Sequence, residues 1–231
     1  MTKFTSSKKL LFLLVLSLLP FVTSQAEEVE SYQYNGENLL LPIPNGFCNA
    51  TEELSGIFIM DYMNSQISNG MDVPPAVIAF TRCGFENDLA ELYPFGYISL
   101  IENSKPVSTQ KSFNKMLGKL LDSSKMMQKI QETADDATQK TGSEYGIEID
   151  GFGVDKSTLD WIDENVAIVT TRMEYAIDGE TYNEYSVQGS TALNKSIVNY
   201  YIWDEIPGLT TPKENALTLI NNSKFLVRMN K

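Results

Sequence analysis

Two cysteines are the first residues whose type and spacing suggest chemistry. Cys48 lies in "LPIPNGFCNATEEL", just ahead of a stretch with helical character, and a thiol at a helix N-terminus can be an activated nucleophile. Cys83 is the only other cysteine, with 34 residues between the two. The chain contains no histidine, so neither thiol has an imidazole to serve as its base. The same absence removes Ser-His-acid catalysis and imidazole-based zinc sites. A redox pair would favour Cys-x-x-Cys spacing, which this pair lacks. The expectation is a structural Cys48–Cys83 disulfide, which at this loop size stabilises by roughly 3 to 4 kcal/mol.

Carboxylates are the next candidates. "EIDGFGVDKSTLDWIDEN" gathers Glu148, Asp150, Asp155, Asp160, Asp163 and Glu164. Oxygen ligands of this kind suit Ca²⁺, but the spacing is not that of an EF-hand. Two such acids could also act as the acid and base of a glycosidase. The segment reads most simply as a solvated, turn-rich connection. Aromatic residues cluster late in the chain: Trp161, Tyr175, Tyr182, Tyr185, Tyr200, Tyr201 and Trp203. Exposed on a sheet they can stack a sugar or anchor a partner; packed across strands they are core. Tyr200 and Tyr201 must point to opposite faces. Asn49, Asn194 and Asn221 each begin a glycosylation sequon. The sequence assigns no catalytic residue, no metal ligand and no cofactor.

The N-terminus explains why a disulfide is expected. "MTKFTSSKK" is basic, Leu10 to about Val22 is apolar, and "TSQA" places small residues before a cleavage point after Ala26. That is the secretory pattern. The apolar run is shorter than a membrane span requires, and no later segment is long and apolar enough. Residues 1–26 are therefore read as a signal peptide and 27–231 as a single exported domain, periplasmic or secreted, with no membrane insertion after cleavage. Lys+Arg number 18 and Asp+Glu 30, giving −12; cleavage removes Lys3, Lys8 and Lys9 and leaves −15. Such an acidic surface repels nucleic acid and anionic lipid, and suits a cationic partner or metal better.

These groups must be positioned by elements that the sequence outlines. Asn35-Gly36 reads as a hairpin turn. Asn49 or Thr51 caps a helix with Glu52 and Glu53 in its first turn, ending at Asn69-Gly70, and Leu54, Ile57, Phe58 and Tyr62 form its apolar stripe with Asp61 near the edge. Ala76 to about Arg82 is a strand buried on both faces, and "YISLIE" is another. A long helix runs from Thr109 to about Thr138, with Phe113, Met116, Leu117, Leu120, Leu121, Met127 and Ile130 along one side. A three-stranded meander follows, turning at Asp178-Gly179 and Asn194-Lys195. Its first strand shows Ala167, Val169, Thr171, Met173, Tyr175 and Ile177 on one face, with Arg172 and Glu174 on a wet face. Thr211 caps a last helix with Pro212 at its first position. The class is α+β, an antiparallel β-sheet packed against helices with one disulfide.

The order of these elements, from "LLLPIPNGF" through "DGETYNEYSVQG" and "NKSIVNYYIW" to a closing helix, resembles the PsbP-like family, named for an extrinsic subunit of photosystem II. The resemblance implies an exported, mostly non-enzymatic fold for binding or assembly, and carries over no functional residue. The function expected is thus non-catalytic binding or assembly, with a protein partner in the envelope. The alternatives are a carboxylate-based glycan hydrolase and a Ca²⁺- or small-ligand-binding module.

Overall fold

The computed structural model of the 231-residue chain describes residues 28–68, 74–102, 109–121, 149–177, 179–193 and 196–231, with 128, 132 and 143 singly. The fold is α+β. Strands β1 (Val29–Tyr34) and β2 (Glu37–Pro42) form a hairpin. Asn35 and Gly36 both take positive φ, 51° and 78°, as the tight hairpin turn demands.

The other strands build one seven-stranded antiparallel sheet. They are β3 (Phe47–Asn49), β4 (Ala76–Arg82), β5 (Phe95–Glu102), β6 (Ile149–Ile162), β7 (Ala167–Ile177), β8 (Glu180–Leu193) and β9 (Ser196–Glu205). The spatial order is β3-β4-β5-β9-β8-β7-β6, so β9 and β8 lie near the middle, with β3 and β6 at the edges. The expected meander is present as β7-β8-β9, with Ile177 opposite Glu180 and Leu193 opposite Ser196. Asp178, Asn194 and Lys195 lie outside the described residues.

Helices α1 (Leu54–Ser68), α2 (Gln110–Leu121) and α3 (Pro212–Met229) cover the two faces. The first face meets α3 and the hairpin. Leu39, Leu41, Phe80, Ile98, Ile168, Tyr185, Val187, Tyr200, Ile202, Leu219 and Leu226 form the main core there. α3 begins as the sequence indicates: Thr211 and Glu214 make a reciprocal capping box, with Pro212 in the first turn. Gly189 on β8 lets α3 approach closely, since a Cβ there would meet Leu219 Cβ at 3.1 Å. The second face meets α1 through Ile59 and Met63 packed on Ala76, Ala79 and Tyr97. It meets α2 through Phe113 packed on Ala167 and Ile197.

Three expectations need correction. The stripe Leu54, Ile57, Phe58 and Tyr62 is the exposed side of α1, each residue between 38% and 50% exposed, while Ser55, Gly56, Ile59 and Met63 face the sheet. The helix is apolar on both sides, so bulk does not choose its orientation. Contact does: a Cβ on Gly56 would lie 1.7 Å from the Ala50 carbonyl oxygen, so only glycine permits this approach. The cap also differs, because Leu54 N–H donates to Asn87 Oδ1 and Glu52 and Glu53 precede the helix.

The acidic segment is the second correction. It is not a turn-rich loop but the 14-residue edge strand β6 and its short return to β7. Register shifts at Asp150/Gly153, Val154/Lys156 and Leu159/Trp161 mark bulges, which an edge strand tolerates and which glycines favour. Third, β7 has a wet face only at one end. Arg172 and Glu174 are exposed, but Ile168 and Thr170 on that side are buried where α3 packs against the sheet. Of the long helix expected from Thr109, Gln110–Leu121 is described, and nearly all the remainder to Thr138 lies outside the described residues.

Candidate functional site: a polar and aromatic sheet face

Cys48 and Cys83 are joined, with Cα atoms 4.9 Å apart. The bond does not tie a helix to a strand as the sequence suggests. Cys48 sits in edge strand β3, and Cys83 directly follows β4, its neighbour. Both sulfurs are consumed by this bond, although Glu86 lies beside them. The predicted acids are spread out. Asp160 is exposed and accepts from Thr158 Oγ1. Asp163 Oδ1 accepts from the Asn165 and Val166 backbone N–H groups and so shapes the β6–β7 turn. Glu148 lies outside the described residues. The predicted aromatics divide between the faces: Tyr185 and Tyr200 enter the α3-side core, while Tyr201 and Trp203 join the α1 side and Trp161 is exposed.

The more unusual site is on β8, at the middle of the sheet. Tyr185, Val187 and Gly189 point to the α3 side, so Glu184, Ser186, Gln188 and Ser190 point to the α1/α2 side. Glu184, Ser186 and Ser190 are buried. A buried polar lane needs internal partners. At one end α2 supplies them. Gln110 Nε2 donates to Asn114 Oδ1 (2.7 Å) and to the Ser190 carbonyl (3.2 Å), and Gln110 Oε1 accepts from Ala192 N–H at 2.6 Å. Ser190 Oγ and Gln188 Nε2 both donate to Asn199 Oδ1, at 2.7 and 3.3 Å. Asn199 Nδ2 is buried with no partner among the described residues. Ser99, directly across from Asn199 in the β5–β9 register, has a buried hydroxyl without a hydrogen bond of ordinary geometry.

At the other end, Glu184 Oε1 accepts hydrogen bonds from the phenols of Tyr93 and Tyr175. Burial raises the Glu184 carboxyl above its ordinary range; the two phenol bonds oppose this, and Glu205 adds to it. Tyr93 and Tyr175 are raised well above the usual phenol value, by burial first and then by the Glu184 charge. Tyr62 on α1 is pushed up to about 12 by the same two causes. Rings extend from the acid along β5 and β9. Tyr93 and Phe95 centroids are 5.2 Å apart, Phe95 stacks on Trp203 at 6.2 Å, and Tyr97 stacks on Tyr201 at 4.5 Å. Tyr175 stacks on Tyr182 at 5.6 Å. The only ion pair among the described residues is Arg82–Glu91, away from this lane.

Sequence reasoning did not single out Glu184, Tyr93, Ser99 or Asn199. The alternation Glu-x-Ser-x-Gln-x-Ser was visible, but a solvated strand face has the same pattern. Tyr93 reaches Glu184 across 91 residues of chain. A scan of the chain against protein-family models finds no match, and no curated protein is significantly similar to it in sequence.

Proposed function

We propose that the protein is an exported, non-catalytic binding domain whose ligand surface is the polar and aromatic lane between α1 and α2. The disulfide and the lack, among the described residues, of a helix long and apolar enough to cross a membrane are compatible with an extracytoplasmic location. The PsbP-like resemblance supports the binding role. The observation that carries the reading is the buried Asn199 amide donor, without an acceptor among the described residues and set among Ser99, Gln188 and Ser190. An unsatisfied buried donor costs about 1 to 3 kcal/mol. A buried polar group without a partner is one of the features that functional sites retain.

The test is native mass spectrometry of protein purified without denaturation from its own envelope fraction. A co-purifying adduct is expected on the wild type and not on Asn199→Leu, which is expected to be the more stable protein. A bare wild-type mass, with Asn199→Leu less stable, would sink the reading.

One observation favours a second reading, a carboxylate-based glycan hydrolase. Glu184 and Glu205 are direct cross-strand partners and so share a face, and one of them has a raised carboxyl. Turnover of chromogenic glycosides that disappears in both Glu184→Gln and Glu205→Gln would support it; no turnover removes it.

A further inference from the structure

The β1–β2 hairpin is a two-stranded sheet among the described residues, so one edge of β2 has no described strand beside it. Along an antiparallel strand, residues two apart turn their N–H and C=O groups to the same edge. Leu40 turns both away from β1. Its N–H donates to Asn230 Oδ1 at 2.9 Å, and its C=O accepts from Asn230 Nδ2 at 2.8 Å. Asn38 and Pro42 therefore face the same way. The Pro42 carbonyl accepts from Asn222 Nδ2 at 3.2 Å, and proline has no N–H to satisfy. α3 thus lies along this edge and closes it with side-chain amides. The Asn230 carboxamide offers Leu40 the same acceptor and donor that a residue of a neighbouring strand would offer.

The closure stops at Leu40. Asn38, the next outward-facing residue toward the hairpin tip, is exposed, and its side chain is held on β1, where Ser31 and Gln33 donate to its Oδ1. A groove of about 320 Å³ opens here between β2, Leu193 and Met229, with Glu37 and Asn230 in its lining. The clamp beside it sits at a helix end. Leu226 is the last fully buried residue of α3, Met229 and Asn230 are half-buried, and Lys231 is exposed. Helix ends fray, so releasing Asn230 disturbs no more than the final turn.

We propose that an extended, basic peptide segment of a partner protein adds to this edge as a third strand, displacing the Asn230 amide from Leu40 and continuing to Asn38. In strand addition, backbone bonds give affinity and pockets for alternate side chains give specificity. The groove takes an apolar side chain against Leu40, Leu193 and Met229; Glu37 and the chain's net charge of −12 favour basic neighbours. The hairpin packs on the α3 side of the main sheet, so the inference is independent of the lane between α1 and α2. It differs from a purely structural clamp, which would protect the edge and bind nothing.

The probe is a capped hexapeptide of alternating lysine and valine, and the control is the same peptide N-methylated at every residue, which cannot donate to the edge. The readout is the amide NMR spectrum of the intact protein at up to millimolar peptide. The expected result is movement of the Asn38 and Leu40 backbone signals and of the Asn230 side-chain NH₂ pair, with no response to the control. Asn230→Ala is expected to bind the peptide about fivefold tighter, because the competing bonds are gone. Asn38→Pro removes an N–H that faces away from β1 and is expected to weaken binding by about the same factor. Unmoved Asn38 and Leu40 signals in both the wild type and Asn230→Ala overturn the proposal. So does an equal response to the methylated control, a result that decides the matter even where Asn38→Pro does not fold. If the same signals move when the protein alone is concentrated, the occupant is a second copy and the partner-peptide proposal fails.

Discussion

Two acids are buried at the same end of the sheet on opposite faces. Asp204 is the register neighbour of Tyr185, and Glu184 is the register neighbour of Glu205. Asp204 is fully buried and saturated with donors. Its Oδ1 accepts from Glu205 N–H at 2.9 Å, and its Oδ2 accepts from Thr210 N–H at 2.8 Å and Thr210 Oγ1 at 2.6 Å. Thr210 in turn accepts from Asn215, which also donates to Tyr185, so the network ties β9 to the start of α3. Glu184 has the hydroxyls of Tyr93 and Tyr175 instead. Burial alone therefore does not set an acid's role; its donors differ: two backbone N–H groups and a threonine hydroxyl close by in sequence hold Asp204, whereas tyrosine hydroxyls from distant parts of the chain hold Glu184.

The same chemical change on each face tests this difference, and the largest effect belongs to Asp204. Asp204→Asn turns a donor NH₂ toward at least one of three existing donors, and a loss of about 2 to 3 kcal/mol in denaturant unfolding is expected. Glu184→Gln keeps an acceptor for the phenols and removes the buried charge. Its expected cost at neutral pH is below about 1 kcal/mol. Equal losses at the two positions would break the comparison.

The pH dependence sharpens it. A carboxyl raised in the folded state holds a proton there that the unfolded chain has already released. Its stabilisation is complete below the unfolded value, about 4.3, and is lost as pH rises through the raised folded value. Wild-type stability is expected to decline across that window, and the Glu184→Gln protein to decline less. A parallel decline in both would assign the slope to other groups. The smallest effect is expected on α1: Phe58→Ser, on the exposed stripe, changes stability by no more than about 0.5 kcal/mol. A loss of several times that would mean the stripe is covered in solution.

Much of the scaffold is legible in the sequence because its signals are local. Thr211, Pro212 and Glu214 announce α3; Asn35-Gly36 announces the hairpin; Asp178-Gly179 places the turn between β7 and β8. The disulfide is expected from the count of two cysteines and from an N-terminus that reads as an export signal. What escapes is decided by contacts distant in sequence. Gly56 against Ala50 turns α1 over, and no periodicity reports a close approach between backbones. The partners of Glu184, Tyr93 and Tyr175, come from other parts of the chain. Its own strand reads as half-wet because nothing local states that α1 and α2 will lie over it.

β6 has a further consequence. As the last strand of the sheet among the described residues, it leaves one row of backbone N–H and C=O groups with no described strand beside it, a template onto which another chain could add. Three breaks in register keep that row from being straight, and the exposed Asp160 adds a negative charge to the strand. Irregularity and charge of this kind on an edge strand disfavour edge-to-edge joining of one molecule's sheet to another's.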